Sequence, residues 1–205
     1  MIHPHTELRF VSPQIGHGIF ATKFIPKGTI TYVEDPLEIH IPPDSPLWKN
    51  PMLGNLLKIY STLKDDGTYE LSWDYAKHMN HCCHYNTITT GWGFEIAVHD
   101  IEAGEQIRDD YGMFNVDYDM ELICDFPDCR KRIRTADFDK NASQWEADAR
   151  DALTLASQVP QPLLEVMDEQ TRLELERYLQ TGEGYKSVIN LKFVETKPLR
   201  SHNPQ

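Results

Sequence analysis

Two stretches of this chain hold side chains whose types and spacing could do chemistry. Asn80-His81-Cys82-Cys83-His84-Tyr85-Asn86 brings amides, imidazoles and thiols into one short run. Such groups bind hydrogen-bonding ligands or a metal. Gly104-Glu105-Gln106-Ile107-Arg108-Asp109-Asp110-Tyr111-Gly112 ends in an acid pair and a tyrosine, directly before a glycine that can turn the chain. The remaining thiols are Cys124 and Cys129. Adjacent Cys82 and Cys83 cannot easily bridge each other, and a disulfide framework is not expected without a secretory context. The Cys124–Cys129 pair offers two thiolates to a metal, at a wider spacing than usual zinc pairs, or two small apolar groups to a core.

The bounds on what could position these residues are broad. A chain of 205 residues, 40% hydrophobic and 25% charged, can form one sizeable core with an appendage. No apolar run approaches the ~20 residues that span a bilayer, and Met1-Ile2-His3-Pro4-His5 lacks the basic start of a secretory signal. The expectation is no membrane and a cytoplasmic address, with a nuclear one open in a eukaryotic cell. The formal net charge of −12 argues against direct nucleic-acid binding, which needs clustered Lys and Arg. It is compatible with steering a basic peptide, or simply with solubility.

The elements read as follows. Leu8–Val11 is strand-like and stopped by Ser12-Pro13. Gly16-His17-Gly18 precedes the apolar Ile19-Phe20-Ala21, and the glycines permit either positive φ or a close backbone approach to a ligand. Ile25-Pro26-Lys27-Gly28 makes a turn into the β-branched stretch Thr29–Val33. Leu37–Ile41 alternates like a half-buried strand. Between Pro42 and Asp74, four prolines and the helically spaced Leu53, Leu56, Leu57 and Tyr60 predict an inserted loop and helix, with a small strand over Tyr69–Trp73. Gly93–Val98 alternates as a strand. From Asn141 the pattern turns helical: Ser143-Gln144-Trp145-Glu146 reads as a capping box, Trp145, Ala149, Ala152, Leu153 and Ala156 form a stripe, and Val159-Pro160 ends it. Pro162 can start a second helix that Thr181-Gly182 stops. Val188–Val194 is a short strand or helix, and Lys197–Gln205 a tail. The predicted class is a mainly β core of several small sheets, with an inserted helix and a C-terminal helical extension.

In this order the motifs resemble the SET-domain protein methyltransferases. Gly16-His17-Gly18-Ile19-Phe20-Ala21 is similar to their N-terminal glycine motif. Met79 through Asn86 resembles their R-F-I-N-H-S-C-x-P-N signature, and Asp100 through Gly112 resembles R-D-I-x-A-G-E-E-I-T-x-D-Y-G. Cys124 through Arg130 is similar to the later part of the post-SET cysteine segment. Four motifs in order are far more specific than one. The implied division is residues 1–134 as a SET domain with an insert over about 42–74 and a post-SET-like segment over about 113–134, then residues 135–205 as a helical extension.

The resemblance implies S-adenosylmethionine (SAM) as cofactor and methyl transfer to a lysine amine of a protein substrate. Gly16, His17, Gly18, Asn80 and His81 would hold the cofactor, and Tyr111 would touch it as the catalytic residue. Asp109 stands where many members carry an aromatic residue that limits how many methyl groups fit, so it marks product or acceptor specificity. Some members methylate histidine instead. Tyr85 replaces the usual proline, and Lys77-His78 the usual Arg-Phe. A complete post-SET zinc site uses one cysteine of the first motif and three later ones. Cys83, Cys124 and Cys129 match, with Leu122 at the remaining position, so Cys82 or a histidine must complete the set or the metal is lost. The contrasting expectation is a SET-like binding or regulatory module without turnover.

Overall fold

The computed structural model describes residues 1–116, 119–124 and 126–193. The expected tail Lys197–Gln205, and the end of the Val188–Val194 stretch, lie outside the described residues. In chain order the elements are β1 (Thr6–Ser12), β2 (Gly16–Ala21), β3 (Ile30–Tyr32), β4 (Ile39–Ile41), α1 (Pro51–Tyr60), β5 (Ser61–Leu63), β6 (Tyr69–Leu71), β7 (Asn80–His81), β8 (Thr87–Thr89), β9 (Glu95–Ala97), β10 (Gln106–Asp109), β11 (Met120–Glu121), β12 (Arg132–Ile133), α2 (Asp137–Leu153) and α3 (Glu169–Thr181). The strands form small sheets in the orders β1-β2-β10-β7, β3-β9-β8, β4-β6-β5 and β11-β12. The predicted class of small sheets with few helices is what forms. No helix among the described residues is long and apolar enough to cross a membrane.

The two chemically dense stretches meet because β10 pairs with β7 in parallel, Arg108 opposite Asn80 and Asp109 opposite His81. On its other edge β10 pairs antiparallel with β2, Ile107 opposite Ile19. Ile19, Ala21, Ile25, Met79, Ala97, Ile101 and Ile107 form one apolar cluster that holds this sheet against its neighbour. A larger cluster joins Ile88, Phe94 and Ile96 of the second sheet to Phe138, Trp145, Ala149 and Leu153 of α2 and Leu175 of α3. The C-terminal helices therefore share one core with the strands that carry the site, and burying side chains of this size contributes roughly 1.5–3 kcal/mol each.

Several local expectations give way to tertiary context. Over residues 37–39 the alternation is inverted, Leu37 and Ile39 being exposed and Glu38 buried, whereas Ile41 is buried as expected. Tyr32 donates its hydroxyl to Glu38 at 2.8 Å and the N-terminal ammonium approaches it at 3.5 Å, so polar partners draw the glutamate inward. Helix α2 begins at Asp137, ahead of the capping-box residues, which lie inside it. Its start is favoured by Asp137 and Asp139 in the first turn, where the helix dipole welcomes negative charge. Pro162 opens a series of turns rather than a helix; Asp168 caps α3, accepting from the Thr171 N–H at 2.9 Å, and Gly182 ends it with φ of 74°. Strand β5, which pairs with β6, carried too little sequence signal to expect.

Candidate active site

Residue by residue, the second dense stretch builds a rigid platform for Tyr111. Asp110 caps the single 3-10 turn Tyr111–Met113, its Oδ1 accepting from the Gly112 N–H at 2.9 Å. The same oxygen takes the Arg130 guanidinium, and Oδ2 accepts from Trp145 Nε1 at 3.1 Å. Burial nonetheless pushes the Asp110 carboxyl above its ordinary range, against the pull of Arg130. Gly112 lies against the Trp145 ring so closely that an added Cβ would come within 3.1 Å of it. The Asp-Tyr-Gly order thus has a local reason: cap, presented side chain, then a residue small enough for the tryptophan beneath.

Tyr111 donates its hydroxyl to the Met79 carbonyl and its backbone N–H to His81 Nδ1 at 3.2 Å, with Phe114 packed beside its ring at 5.5 Å. Burial, with Asp109 and Glu95 nearby, drives its pKa upward. The group is a phenol at any ordinary pH.

The first dense stretch divides its labour. Asn80 Nδ2 donates to the His17 carbonyl at 2.9 Å, tying β7 to the glycine loop. Gly18 lies beneath this contact: a Cβ there would come within 2.3 Å of Gln106 Nε2 and 2.7 Å of Asn80 Nδ2. Asn86 has a fastening role, its Nδ2 donating to the Gln106 carbonyl at 2.9 Å and its Oδ1 accepting from the Arg108 N–H at 2.9 Å. Tyr85, standing in for the expected proline, reaches α2 by donating its hydroxyl to Asp148 at 2.6 Å.

Gly16, His17, Asn80 and Tyr111 line one cleft of about 440 Å3, together with Tyr60, Leu63, Thr89, Glu95, Phe114 and Leu191. The insert and the C-terminal segment therefore supply walls to a cavity whose floor comes from the strands. Asn115 fastens these walls, giving Nδ2 to the Leu63 carbonyl at 3.0 Å and to the Leu191 carbonyl at 2.8 Å. Gly18, His81 and Asp109 are not in the lining. Asp109 is 0% exposed, its carboxyl accepting from the Asp110 N–H at 2.6 Å, behind the wall where the sequence suggested a specificity residue. Glu95 takes a place in the wall that sequence reasoning did not assign. Its signal was one glutamate in an otherwise apolar strand.

The expected metal set is rearranged. Cys83 and Cys129 approach to 3.6 Å, but Cys124 sits against Cys82 at 4.0 Å. Among the described residues, the group around Cys83 whose ligand atoms lie within 4.8 Å of one another is His81, Cys83 and Cys129. These three do not make the closed four-ligand site that structural zinc takes. His81 Nδ1 is already an acceptor for Tyr111, so a neutral ring carries its proton on Nε2, the nitrogen 3.4 Å from Cys83 Sγ. Burial, with Arg130 adjacent, pushes His81 down to about 3 and keeps it neutral.

Known proteins bear on these observations. The SET-domain family model matches residues 16–112, from the first glycine of the loop to Gly112. No curated protein matches the sequence. Among solved structures, a Plasmodium falciparum candidate histone methyltransferase is similar at 18% identity and a TM-score of 0.40, over 54% of this chain and 95% of that one. KRYPTONITE, solved in complex with mCHH DNA, an H3(1-15) peptide and SAH, is similar at 16% identity and a TM-score of 0.44, over 63% of this chain. This chain spans 29% of the KRYPTONITE chain's length. The match to the family model has its ends on the two motifs that build the cleft, and residues 16–112 of this chain are similar to a SET domain.

Proposed function

We propose that this chain is a SAM-dependent methyltransferase acting on a lysine side chain of a protein. One observation carries the reading: the Tyr111 hydroxyl is fixed on the Met79 carbonyl, and Tyr111, Asn80, His17 and Gly16 face the same cleft. When bound, SAM supplies a methyl group activated by a sulfonium. The chain's own residues must hold that cofactor, exclude water, and deliver an amine with a free lone pair.

Asn80 suits the first task. Its Nδ2 is committed to His17, which leaves Oδ1 as an acceptor for an ammonium. Tyr111 suits the last. Its proton is committed to Met79, so its oxygen can accept from an amine and orient it, and a phenol is a poor base. A narrow, partly apolar cleft also favours the neutral form of a lysine, because burial penalises charge. The insert wall from Lys58 to Asp65 and the residue Leu191 supply the surfaces on which a protein segment would be sorted.

Incubating the purified protein with isotopically labelled SAM and a cell extract, then identifying labelled residues by mass spectrometry, tests the reading and gives acceptor and methyl count together. Labelled lysines are expected. Label on histidine alone would move the acceptor, and a protein that neither binds SAM nor labels any substrate would be a binding module. A narrower prediction concerns Gly18→Ala. The two atoms its Cβ would meet most closely are the ends of flexible amides, with a Val11 methyl at 3.1 Å, so the fold should survive with a loss of about 1 kcal/mol. Asn80 must move, and SAM affinity measured by calorimetry should fall by about tenfold, the loss of one good hydrogen bond.

A further inference from the structure

The cleft contains a titratable group that the proposed function does not use. Glu95 is 7% exposed, lines the cavity with Tyr111 and Thr89, and its Oε2 has no hydrogen-bond partner. A buried carboxylate oxygen left without a partner is costly, and a strand position rarely tolerates one without a use. The neighbouring acids are differently placed. Glu70, also in the lining, is paired with Lys64 at 2.9 Å, with the Tyr32 hydroxyl oxygen 3.1 Å away. Lys64 is shared with Glu34 at 3.0 Å, and Lys77 is spent on the carbonyls of Ser72, Trp73 and Asp74. These lining cations are thus committed elsewhere.

We propose that Glu95 is the substrate-amine acceptor of this site: its carboxylate receives an alkylammonium entering the cleft beside Tyr111 and takes one of its protons. This rests on the methyltransferase reading and deepens it by naming the residue that prepares the nucleophile. The step balances simply. One N–H bond of the ammonium breaks, its electron pair stays on nitrogen, and the proton joins a Glu95 oxygen to give a neutral amine and a carboxylic acid. The nitrogen lone pair so freed is the one that accepts a methyl group, while Tyr111 orients it. Water later removes the proton from Glu95.

The electrostatics agree. Burial raises Glu95 to about 8, with Glu70 adding to the rise and the N-terminal ammonium opposing it. Asp109 on β10 is itself pushed well upward by burial and by Glu95. Tyr32, Glu70, Asp109, Tyr111 and the N-terminus are the titratable groups that bear on Glu95. A carboxyl poised near neutrality is a better partner for a buried lysine amine than one at its ordinary acidity, since proton transfer is easiest between groups of matched pKa. An incoming cation shifts Glu95 back toward its charged form.

The test uses n-butylammonium, a lysine side chain without its backbone, titrated calorimetrically into the full chain at pH 6 and pH 9. Wild-type protein is expected to bind it more tightly at pH 9, where Glu95 is ionised. Glu95→Gln should weaken binding at pH 9 by about 10–100-fold, the worth of a hydrogen bond to a charged group, and Glu95→Asp should restore part of it. No binding to wild type, or equal binding to Glu95→Gln, overturns the proposal. If the variant does not fold, the wild-type pH dependence decides, and tighter binding at pH 6 overturns it. SAM titrated into the same samples keeps the two readings apart. Failure of SAM to bind wild type removes the methyltransferase reading, whereas loss of the n-butylammonium effect with SAM binding intact removes only the role of Glu95.

Discussion

Tyr111→Phe is expected to reduce methyl transfer by about 10²–10³-fold, the range seen when one preorganised polar contact to a reacting centre is removed. The substitution deletes only the hydroxyl. The ring keeps its place beside Phe114, and the backbone N–H keeps its bond to His81. What goes is the oxygen anchored on Met79, the one polar atom of Tyr111 that can steer an amine. SAM affinity should change little, because Asn80, Gly16 and His17 are untouched. The shape of the pH–rate profile should also stay, since a phenol with a raised pKa is not the group that titrates. Single-turnover kinetics with a substrate identified by mass spectrometry would check this. A variant that retains more than about a tenth of the rate would mean that Tyr111 is wall rather than catalyst.

Trp145→Ala should cost about 3–5 kcal/mol of stability, the range for deleting a buried aromatic side chain. Trp145 is 1% exposed and belongs to the cluster that joins α2 to β8 and β9. It packs edge-on to Phe138 at 5.6 Å and supports Gly112. Its indole N–H also satisfies Asp110 Oδ2, so the change leaves a buried carboxylate oxygen short of a donor at the cap of the Tyr111 turn. Chemical denaturation is the direct measurement. A lower midpoint with an unchanged slope is expected, together with weaker activity below the midpoint because the turn is loosened. Trp145→Phe separates the contributions: it keeps most of the volume, loses the donor, and should cost about 1–3 kcal/mol. A loss below about 1 kcal/mol for Trp145→Ala would show that α2 does not support the site.

These two residues differ in how legible they were. The string Asp110-Tyr111-Gly112 was readable as an acid, a tyrosine and a turning glycine, whereas the role given to Tyr111 came from the resemblance to the SET-domain family. Trp145 was readable as part of an apolar stripe, but not as the donor to Asp110, which lies far away in sequence. Glu38 and Glu95 teach the same lesson from the polar side. By period, Glu38 belonged to a solvent face and Glu95 to the wet side of an alternating strand. Both are buried. Tyr32 and the N-terminus draw in the first, and β9 is central in its sheet with α2 over it, so the second has no wet side. The family resemblance grouped Cys83, Cys124 and Cys129; in the folded chain Cys129 lies 3.6 Å from Cys83, and Cys124 lies 4.0 Å from Cys82.

By itself the sequence determined the small-sheet architecture, the glycine loop, and the two motifs that meet as β7 and β10, because strand period, turn chemistry and capping act over a few residues. The tertiary structure alone decided which acid faces the cleft, which thiols pair, and which distant segments wall the site. Those outcomes depend on burial and on charges brought together from far apart in the chain, and a one-dimensional pattern carries neither. Asp109 and Glu95 state the difference most plainly. The motif drew attention to the first, and packing placed the second in the cleft wall.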